Sequence, residues 1–436
     1  MPTVRDVTQN HLCHSCGACA AACPTGAISF QETVGGLLLP SVDPERCTEC
    51  GLCFKICPGK GFAPSVAESL PSDPFVGEIK GCFIGRATER AIYENAQSGG
   101  VATALLCYGL QKGEFEGVLV TEMKWGTPPR PSAYLATTID EVVRAQKSKY
   151  APVAALSALR KVRNVNGPIA VVGLPCQIHG LRSLMHVDSE LRARVKFVIG
   201  LVCDRTMTFA AIDYLAKQAL RNTEILMLAY RDKKAGGYPG NVRIVDTEKR
   251  EYVLPASARL QIKDWFTPAR CRICFDKLNV LSDITLGDPW GIEEADHQQG
   301  DSVILVRTKV GMEFIQRALE AGAIVVQQIA ERAVLSGQKI DQKRTEWEGY
   351  MRAWHFLGFK LPDYNCPRLN VTDDLEPPSR LYIRKLRWSL SLDRYHSRAT
   401  LLRAVRMRVI FQRALRLPRI LFRRGVILLR KLKCWH

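Results

Sequence analysis

Eight of the sixteen cysteines stand in two runs of identical spacing. Cys13, Cys16, Cys19 and Cys23 are followed by Pro24, and Cys47, Cys50, Cys53 and Cys57 by Pro58. Both runs read Cys-x2-Cys-x2-Cys-x3-Cys-Pro, and the second repeats the first at an offset of 34 residues. A [4Fe–4S] cluster needs four thiolates at tetrahedral corners. One tight loop supplies three of them, and in paired clusters the fourth Cys of each run ligates the other cluster. The expected sets are therefore Cys13, Cys16, Cys19 and Cys57 for one cluster, and Cys47, Cys50, Cys53 and Cys23 for the other. Gly17 and Gly51 sit inside the loops, where backbone must come close to the sulfides. A zinc site would instead favour Cys pairs separated by a longer loop. The first run continues Pro24-Thr25-Gly26-Ala27-Ile28, whereas the second continues Pro58-Gly59-Lys60-Gly61, so an altered flank is expected there.

Eight cysteines remain. Cys271 and Cys274 form a Cys-x2-Cys pair in an Arg-rich loop, Cys176 follows a strand-like run and a Gly-x-Pro turn, and Cys203 ends the next strand-like run. Four thiols at the ends of neighbouring elements can converge on a third [4Fe–4S] cluster. A zinc site, or a lone redox pair at Cys271 and Cys274, are the alternatives. Cys82, Cys107, Cys366 and Cys434 have no partner at ligand spacing and read as inert thiols. Ser98-Gly99-Gly100 opens a helical pattern, with Ser98 as the expected N-cap. Such a start, helped by Lys147 or Lys149, suits a pyrophosphate. Gly236-Gly237-Tyr238-Pro239-Gly240 reads as a hairpin turn or as a loop beside a ring-shaped ligand. Asp288 lies just past a strand-like run, where ligand-facing residues often lie, although Asp-Pro also favours a turn; His179 reads as a solvated or packed helical side chain, with a proton relay as the alternative. The Gly-x-Ser-x-Gly elbow, the Walker sequence and the Gly-x-Gly-x-x-Gly fingerprint are all absent, which argues against a Rossmann NAD site.

The elements that must position these residues are legible as alternation. Strand-like runs at 117–120, 169–173, 197–203, 283–287 and 303–306 are separated by helix-length segments. This pattern predicts an α+β or mixed α/β body. The expected organisation is a two-cluster ferredoxin-like domain at 1–63, a linker at Pro64–Pro74, the body at 75–365, a loop at Cys366–Ser379 and a helical tail at 379–436.

Several motifs carry a resemblance. Gln97-Ser98-Gly99-Gly100-Val101-Ala102-Thr103-Ala104-Leu105-Leu106 comes first, followed by Ser148-Lys149-Tyr150 and Gly173-Leu174-Pro175-Cys176-Gln177-Ile178. Gly200-Leu201-Val202-Cys203, Tyr238-Pro239-Gly240, Cys271-Arg272-Ile273-Cys274 and Asp283-Ile284-Thr285-Leu286-Gly287-Asp288 continue in order. Over roughly residues 80–310 this order resembles the family of beta subunits of coenzyme F-420-reducing hydrogenases and dehydrogenases. The resemblance implies a flavoprotein oxidoreductase passing electrons between iron–sulfur clusters and FAD. The FAD in turn would exchange a hydride with F-420 or another small organic acceptor. It favours the third cluster at Cys176, Cys203, Cys271 and Cys274, and makes Ser98, Gly99, Gly100, Lys147 and Lys149 candidate FAD contacts. A redox partner protein or reduced ferredoxin is the expected electron partner. The rival reading is a non-catalytic electron-transfer adaptor feeding a partner enzyme.

The net charge of +18 is concentrated at one end. From Ser379 to His436 there are 17 Lys or Arg and one acid, Asp393, while the rest of the chain has 44 basic and 42 acidic residues. Basic and apolar residues mixed in one tail point to an anionic membrane surface or an acidic protein. Leu401, Val405 and Val409 form its apolar stripe, with Arg408 and Arg416 intruding. No nucleic-acid motif accompanies the charge. With no secretory h-region and no run of 18 apolar residues, the expected location is the cytoplasm, with a peripheral position at the inner membrane surface as an option. There the cysteines would act as ligands or free thiols.

Overall fold

The computed structural model describes residues 1–165, 167–220, 222–370, 377–412 and 414. Near the N-terminus, β1 (Ile28–Glu32) and β2 (Leu38–Val42) form an antiparallel hairpin with Ile28 opposite Val42. The helix Val4–Gln9 packs on β2 through buried Val4 and Val7. Its first turn is closed by a capping box between Thr3 and Asp6, which satisfies two otherwise orphaned amides.

The body contributes β3 (Gly81–Ala87), β4 (Gly117–Lys124), β5 (Arg130–Ala136), β6 (Ile169–Gly173) and β7 (Val195–Leu201). Then come β8 (Ile225–Asp232), β9 (Asn241–Asp246), β10 (Glu251–Leu254), β11 (Ile284–Gly287), β12 (Ser302–Val306) and β13 (Ile324–Gln328). Eight of them make one sheet in the order β13-β3-β12-β11-β7-β6-β4-β5. Four adjacent strands, β11, β7, β6 and β4, are mutually parallel, with antiparallel β5 on one side and β12, β3 and β13 on the other. The expected mixed α/β architecture is thus present, and each strand-like run of the sequence falls on a strand. Among them β6 is apolar along its whole length because both sheet faces are covered there. One face packs on the N-terminal module and the helix Pro175–Val187; the other packs on the helices Val101–Gln111 and Lys309–Glu320.

Parallel pairing has a positional consequence. Gly173 stands opposite Gly200, and Leu201 opposite Leu286, so β6, β7 and β11 end at one edge. Cys176, Cys203 and Asp288 leave the sheet at that same edge.

The remaining strands form a small antiparallel sheet, β10-β9-β8, packed with the helices Ala210–Ala219 and Ala256–Phe266. The segment expected to be a linker is instead built into the core. It holds the helix Pro64–Ala67, and Val66 and Leu70, one helical turn apart, are buried against both the N-terminal module and the body. The altered flank of the second cysteine run pairs with a distant segment: Phe62 N donates to Asp363 O (2.9 Å) and Asp363 N to Lys60 O (2.8 Å). Gly61 is required there, because a Cβ would fall 1.5 Å from Asp363 O.

The start of the tail is also structural. The helix Arg380–Leu390, the short turn Leu392–Arg394 and a helix over 398–412 bury Leu386, Trp388, Leu392, Leu401, Leu402, Val405 and Val409. The Leu401–Val405–Val409 stripe therefore faces the protein core rather than a membrane. Arg408 lies over the Trp388 ring at 4.1 Å, so it does not break the stripe. Arg416 and Cys434 lie outside the described residues. Among the described residues, no helix is long and apolar enough to cross a membrane.

Candidate functional site

The two N-terminal cysteine loops have matching backbones. Ser15 and Glu49 adopt left-handed φ values of 60° and 52°, and Gly17 and Gly51 follow at 91° and 71°. Each glycine then caps a short helix, Ala18–Ala22 or Leu52–Lys55. This geometry turns amides toward the sulfurs: Ser15 N donates to Cys13 Sγ (3.3 Å) and Ala27 N to Cys23 Sγ (3.3 Å). Cys47, Cys50 and Cys53 line one pocket together with Cys23 from the other run. Its volume is about 360 Å³ including its open mouth. The crossed set expected from the spacing is thus gathered around one space, and Cys50 is its exposed member.

Cys13, Cys16, Cys19 and Cys57 form a second gathering. Burial pushes the Cys13 thiol up to about 12, and the neighbouring Cys57 adds to the rise. Cys16 is raised by burial and then by Cys57 and Cys13, and Cys19 by burial and then by Cys16, Cys13 and Cys57. Four buried thiols that oppose one another's ionisation need a strong positive centre to become thiolates together, and iron supplies one.

The third set converges as well. Burial raises the Cys176 thiol, and Cys16, Cys203, Cys274 and Cys271 raise it further. Cys203 is likewise raised by burial and then by Cys271 and Cys274. Cys176 sits in the first turn of the helix after β6, Cys203 two residues past β7, and Cys271 in the short helix Ala269–Arg272. Burial raises the Cys271 thiol, and the Thr206 backbone and then Arg270, Lys343 and Arg205 act against it. Among the described residues, no three His, Cys, Asp or Glu side chains close tightly enough to hold a single metal ion.

The second and third sets are neighbours. A Cβ on Gly180, one turn past Cys176 on the same helix, would lie 3.4 Å from Cys16 Sγ. The module is pressed onto the body here, since a Cβ on Gly17 would meet Ala154 O at 2.6 Å, and Leu156 N donates to Cys16 O (3.0 Å).

The residues singled out as flavin contacts are arranged differently from expectation. Ser98 is not the N-cap; Gly100, at φ 74°, occupies that place before Val101 and makes no side-chain cap. Gly99 is a packing glycine, because a Cβ would meet Gly85 O at 2.3 Å and Ser302 N at 2.7 Å. Lys147 Nζ donates to buried Asp232 Oδ2 (3.0 Å). Lys149 turns inward, its ammonium donating to the carbonyls of Ala145, Gln146 and Lys147 at 2.5, 2.8 and 2.7 Å. It therefore offers no free ammonium. The structure does bring Ser98 and Lys147 to one corner. Lys233, next to Asp232, donates to Ser98 O (3.0 Å) and lies 4.2 Å from the centre of the Tyr93 ring.

Around that corner lie Asp288 and Tyr238, read from the sequence, and Arg231 and Trp290, which had no sequence signal. Arg231 is buried and grips Asp288 with two bonds of 2.6 and 3.0 Å, so Asp288 is more than a turn residue. The rings of Tyr238 and Trp290 flank the Arg231 guanidinium at 5.6 and 5.8 Å. Tyr238 belongs to the glycine-rich loop, after which the Tyr238–Pro239 bond is cis. The buried Tyr230 Oη, Tyr238 Oη and Arg259 Nε have no hydrogen-bond partner among the described residues. Orphaned polar atoms of this kind suit a ligand. His179 is a packed side chain, as expected: Nε2 lies 2.8 Å from Asp276 Oδ2 and the ring stacks on Phe275.

A two-cluster cysteine module packed on a mixed-sheet body marks an iron–sulfur protein of the oxidoreductase class. Residues 12–60 match the 4Fe-4S dicluster domain. Residues 82–160 and 167–332 match the N-terminal and C-terminal parts of the coenzyme F420 hydrogenase/dehydrogenase beta subunit, and together these span more than half the chain. The chain belongs to that family.

The coenzyme F420 hydrogenase subunit beta of Methanosarcina barkeri is 25% identical, over 59% of this chain and 85% of that protein. The corresponding beta subunit of Methanothermobacter thermautotrophicus is 26% identical, over 59% and 87%. The coenzyme F420-dependent sulfite reductase of Methanocaldococcus jannaschii is 26% identical over 73% of this chain, which spans only 47% of that protein's length. A solved chain of the F420-reducing hydrogenase complex from Methanosarcina barkeri superposes with a TM-score of 0.49 at 21% identity. That match covers 64% of this chain and 94% of the other.

Proposed function

We propose that this protein is an iron–sulfur flavoprotein in which three [4Fe–4S] clusters lead to FAD, and FAD exchanges a hydride with F-420 or another small organic acceptor. The observation that carries the reading is the closeness of Cys16 to the helix bearing Cys176, which supports electron passage between the second and third cysteine sets. Cys23, Cys47, Cys50 and Cys53 would hold the outermost cluster, where a redox partner protein or reduced ferredoxin can reach exposed Cys50. Cys13, Cys16, Cys19 and Cys57 would hold the next, and Cys176, Cys203, Cys271 and Cys274 the innermost. Flavin supplies the exchange between one-electron carriers and a two-electron hydride. The chain's part is positioning and exclusion of water. Ser98, Gly99, Gly100 and Lys147 border the flavin region, and the Arg231–Asp288 pair with Tyr238 and Trp290 forms its wall. The orphaned Tyr230, Tyr238 and Arg259 atoms support a ligand at that wall.

The test is anaerobic purification with iron and flavin counted per chain. About 12 iron atoms and one FAD are expected. About 8 iron atoms without flavin would leave only an electron-transfer adaptor.

A further inference from the structure

Arg270 precedes Cys271 and is buried, with 2% of its surface exposed. Its Nε and Nη2 donate to Gly59 O (3.3 and 3.1 Å), and its Nη1 donates to Ile273 O (3.3 Å). Nη2 also donates to the Tyr364 hydroxyl (2.9 Å). Gly59 lies two residues past Cys57, and Ile273 lies between Cys271 and Cys274. One guanidinium therefore ties the loop of the second cysteine set to the loop of the third.

Its charge is not balanced by these contacts. Every acceptor is a neutral carbonyl or phenol, and burial keeps the Tyr364 phenol protonated by raising its pKa. Among the described residues, Arg270 forms no ion pair with a carboxylate. Asp276, close by in the chain, is committed to His179 and to the amides of Asn279 and Val280. A guanidinium cannot shed its proton, and burying one without an anion is costly. The groups placed to balance it are sulfurs. Its bonded carbonyls, Gly59 O two residues past Cys57 and Ile273 O between Cys271 and Cys274, hold the guanidinium between the cysteines of the two sets.

We propose that Arg270 is a positioning residue for electron transfer, a fixed positive charge between the second and third clusters that favours the reduced state of both. This rests on the cysteine assignment above. The step it serves moves one electron: the donor cluster is oxidised by one unit, the acceptor is reduced by one, and no bond forms or breaks. Added negative charge on either cluster is stabilised by the same guanidinium, so the two potentials are raised together. The bonds to Gly59 and Ile273 hold the two loops at a constant separation.

The test uses the full chain, purified anaerobically, with iron counted and the three cluster potentials followed by EPR-monitored redox titration. Arg270→Gln is expected to retain about 12 iron atoms. Two of the three potentials should fall, each by at least about tenfold in the reduction equilibrium, ~59 mV for one electron. The third potential, belonging to Cys23, Cys47, Cys50 and Cys53, should stay in place. Arg270→Lys, which keeps the charge, should stay within about threefold of wild type, ~30 mV.

Full iron with no potential moved, or with all three moved equally, overturns the proposal. If Arg270→Gln loses iron from the second and third sets while Arg270→Lys keeps it, the requirement for charge stands. Iron loss from Arg270→Lys as well would assign the role to hydrogen-bond shape and overturn the proposal. A wild-type count short of about 12 iron atoms would overturn the cysteine assignment first, and the role of Arg270 with it.

Discussion

At the scale of single residues, ligand thiols differ from bystander thiols by their company. Burial and then Cys271 and Cys274, among other cysteines, raise Cys176 and Cys203, whereas burial and then a glutamate raise Cys82 and Cys107, each to about 11. Cys271→Ser is expected to lower the iron count from about 12 to about 8 atoms per chain. Cys82→Ala should leave it unchanged, and colorimetric iron assay of both variants checks this. The Arg231–Asp288 pair offers a second residue-scale prediction. Arg231 has 1% of its side chain exposed and Asp288 14%. Asp288→Ala would strand a buried charge, and a loss of about 3 kcal/mol is expected in anaerobic denaturant unfolding. Lys149 makes a different case from the one its motif suggests. Lys149→Met leaves three carbonyls without a donor, so stability should fall by about 1–3 kcal/mol. Its effect on flavin content should be no greater than that loss of folded protein; a selective loss of flavin from a fully folded Lys149→Met would return Lys149 to the cofactor.

At the scale of elements, two packing contacts govern the site. The first is the press of the Gly17 loop onto residues 154–157. Gly17 has φ +91°, and a Cβ would also meet Ser157 N at 2.7 Å. Gly17→Ala should therefore push the module off the body and slow electron transfer from the second cluster to the third. Stopped-flow reduction would show the innermost cluster lagging; unchanged kinetics would refute the docking geometry. The second contact is the C-terminal helical pair. Lys385 donates to Asp264 Oδ2 (2.8 Å), Trp388 Nε1 to Trp265 O (2.7 Å), and Arg398 ties to Glu32 and Asp213. Truncation before Arg380 is expected to expose the apolar surface beneath Leu401 and Val405 and to give aggregated or dye-binding protein. Leu401→Ala alone should cost about 2–5 kcal/mol.

At the scale of the whole molecule, the three cysteine gatherings run from an exposed member, Cys50, to an interior set at the ends of β6 and β7. A series arrangement predicts an asymmetry. Cys50→Ser should slow reduction by a protein donor at least tenfold, while a small reductant such as dithionite still reduces the inner clusters. Equal rates with a ferredoxin donor would show that electrons come in elsewhere. The dicluster match and the family match lie on one chain, so the two N-terminal cysteine sets and the third set share it.

The two N-terminal cysteine sets were legible from spacing, because a cubane cluster demands three thiolates from one short loop and local chain geometry supplies them. The strands of the parallel sheet were legible too, since burial on both faces leaves uninterrupted apolar runs such as Ile169-Ala170-Val171. Other features depended on long-range packing. Pro64–Pro74 has the composition of a linker, yet Val66 and Leu70 find a core to enter. The basic tail carries 17 cationic residues, yet its stripe meets the apolar surface around Met207 and Phe209. Arg231 and Asp288 are 57 residues apart and Arg270 and Gly59 are 211 apart, so no local pattern joins them. Spacing along the chain determined which cysteines could act together. Only the tertiary structure decided that the second and third sets touch, because that contact is made by the packing of one folded module on the edge of another.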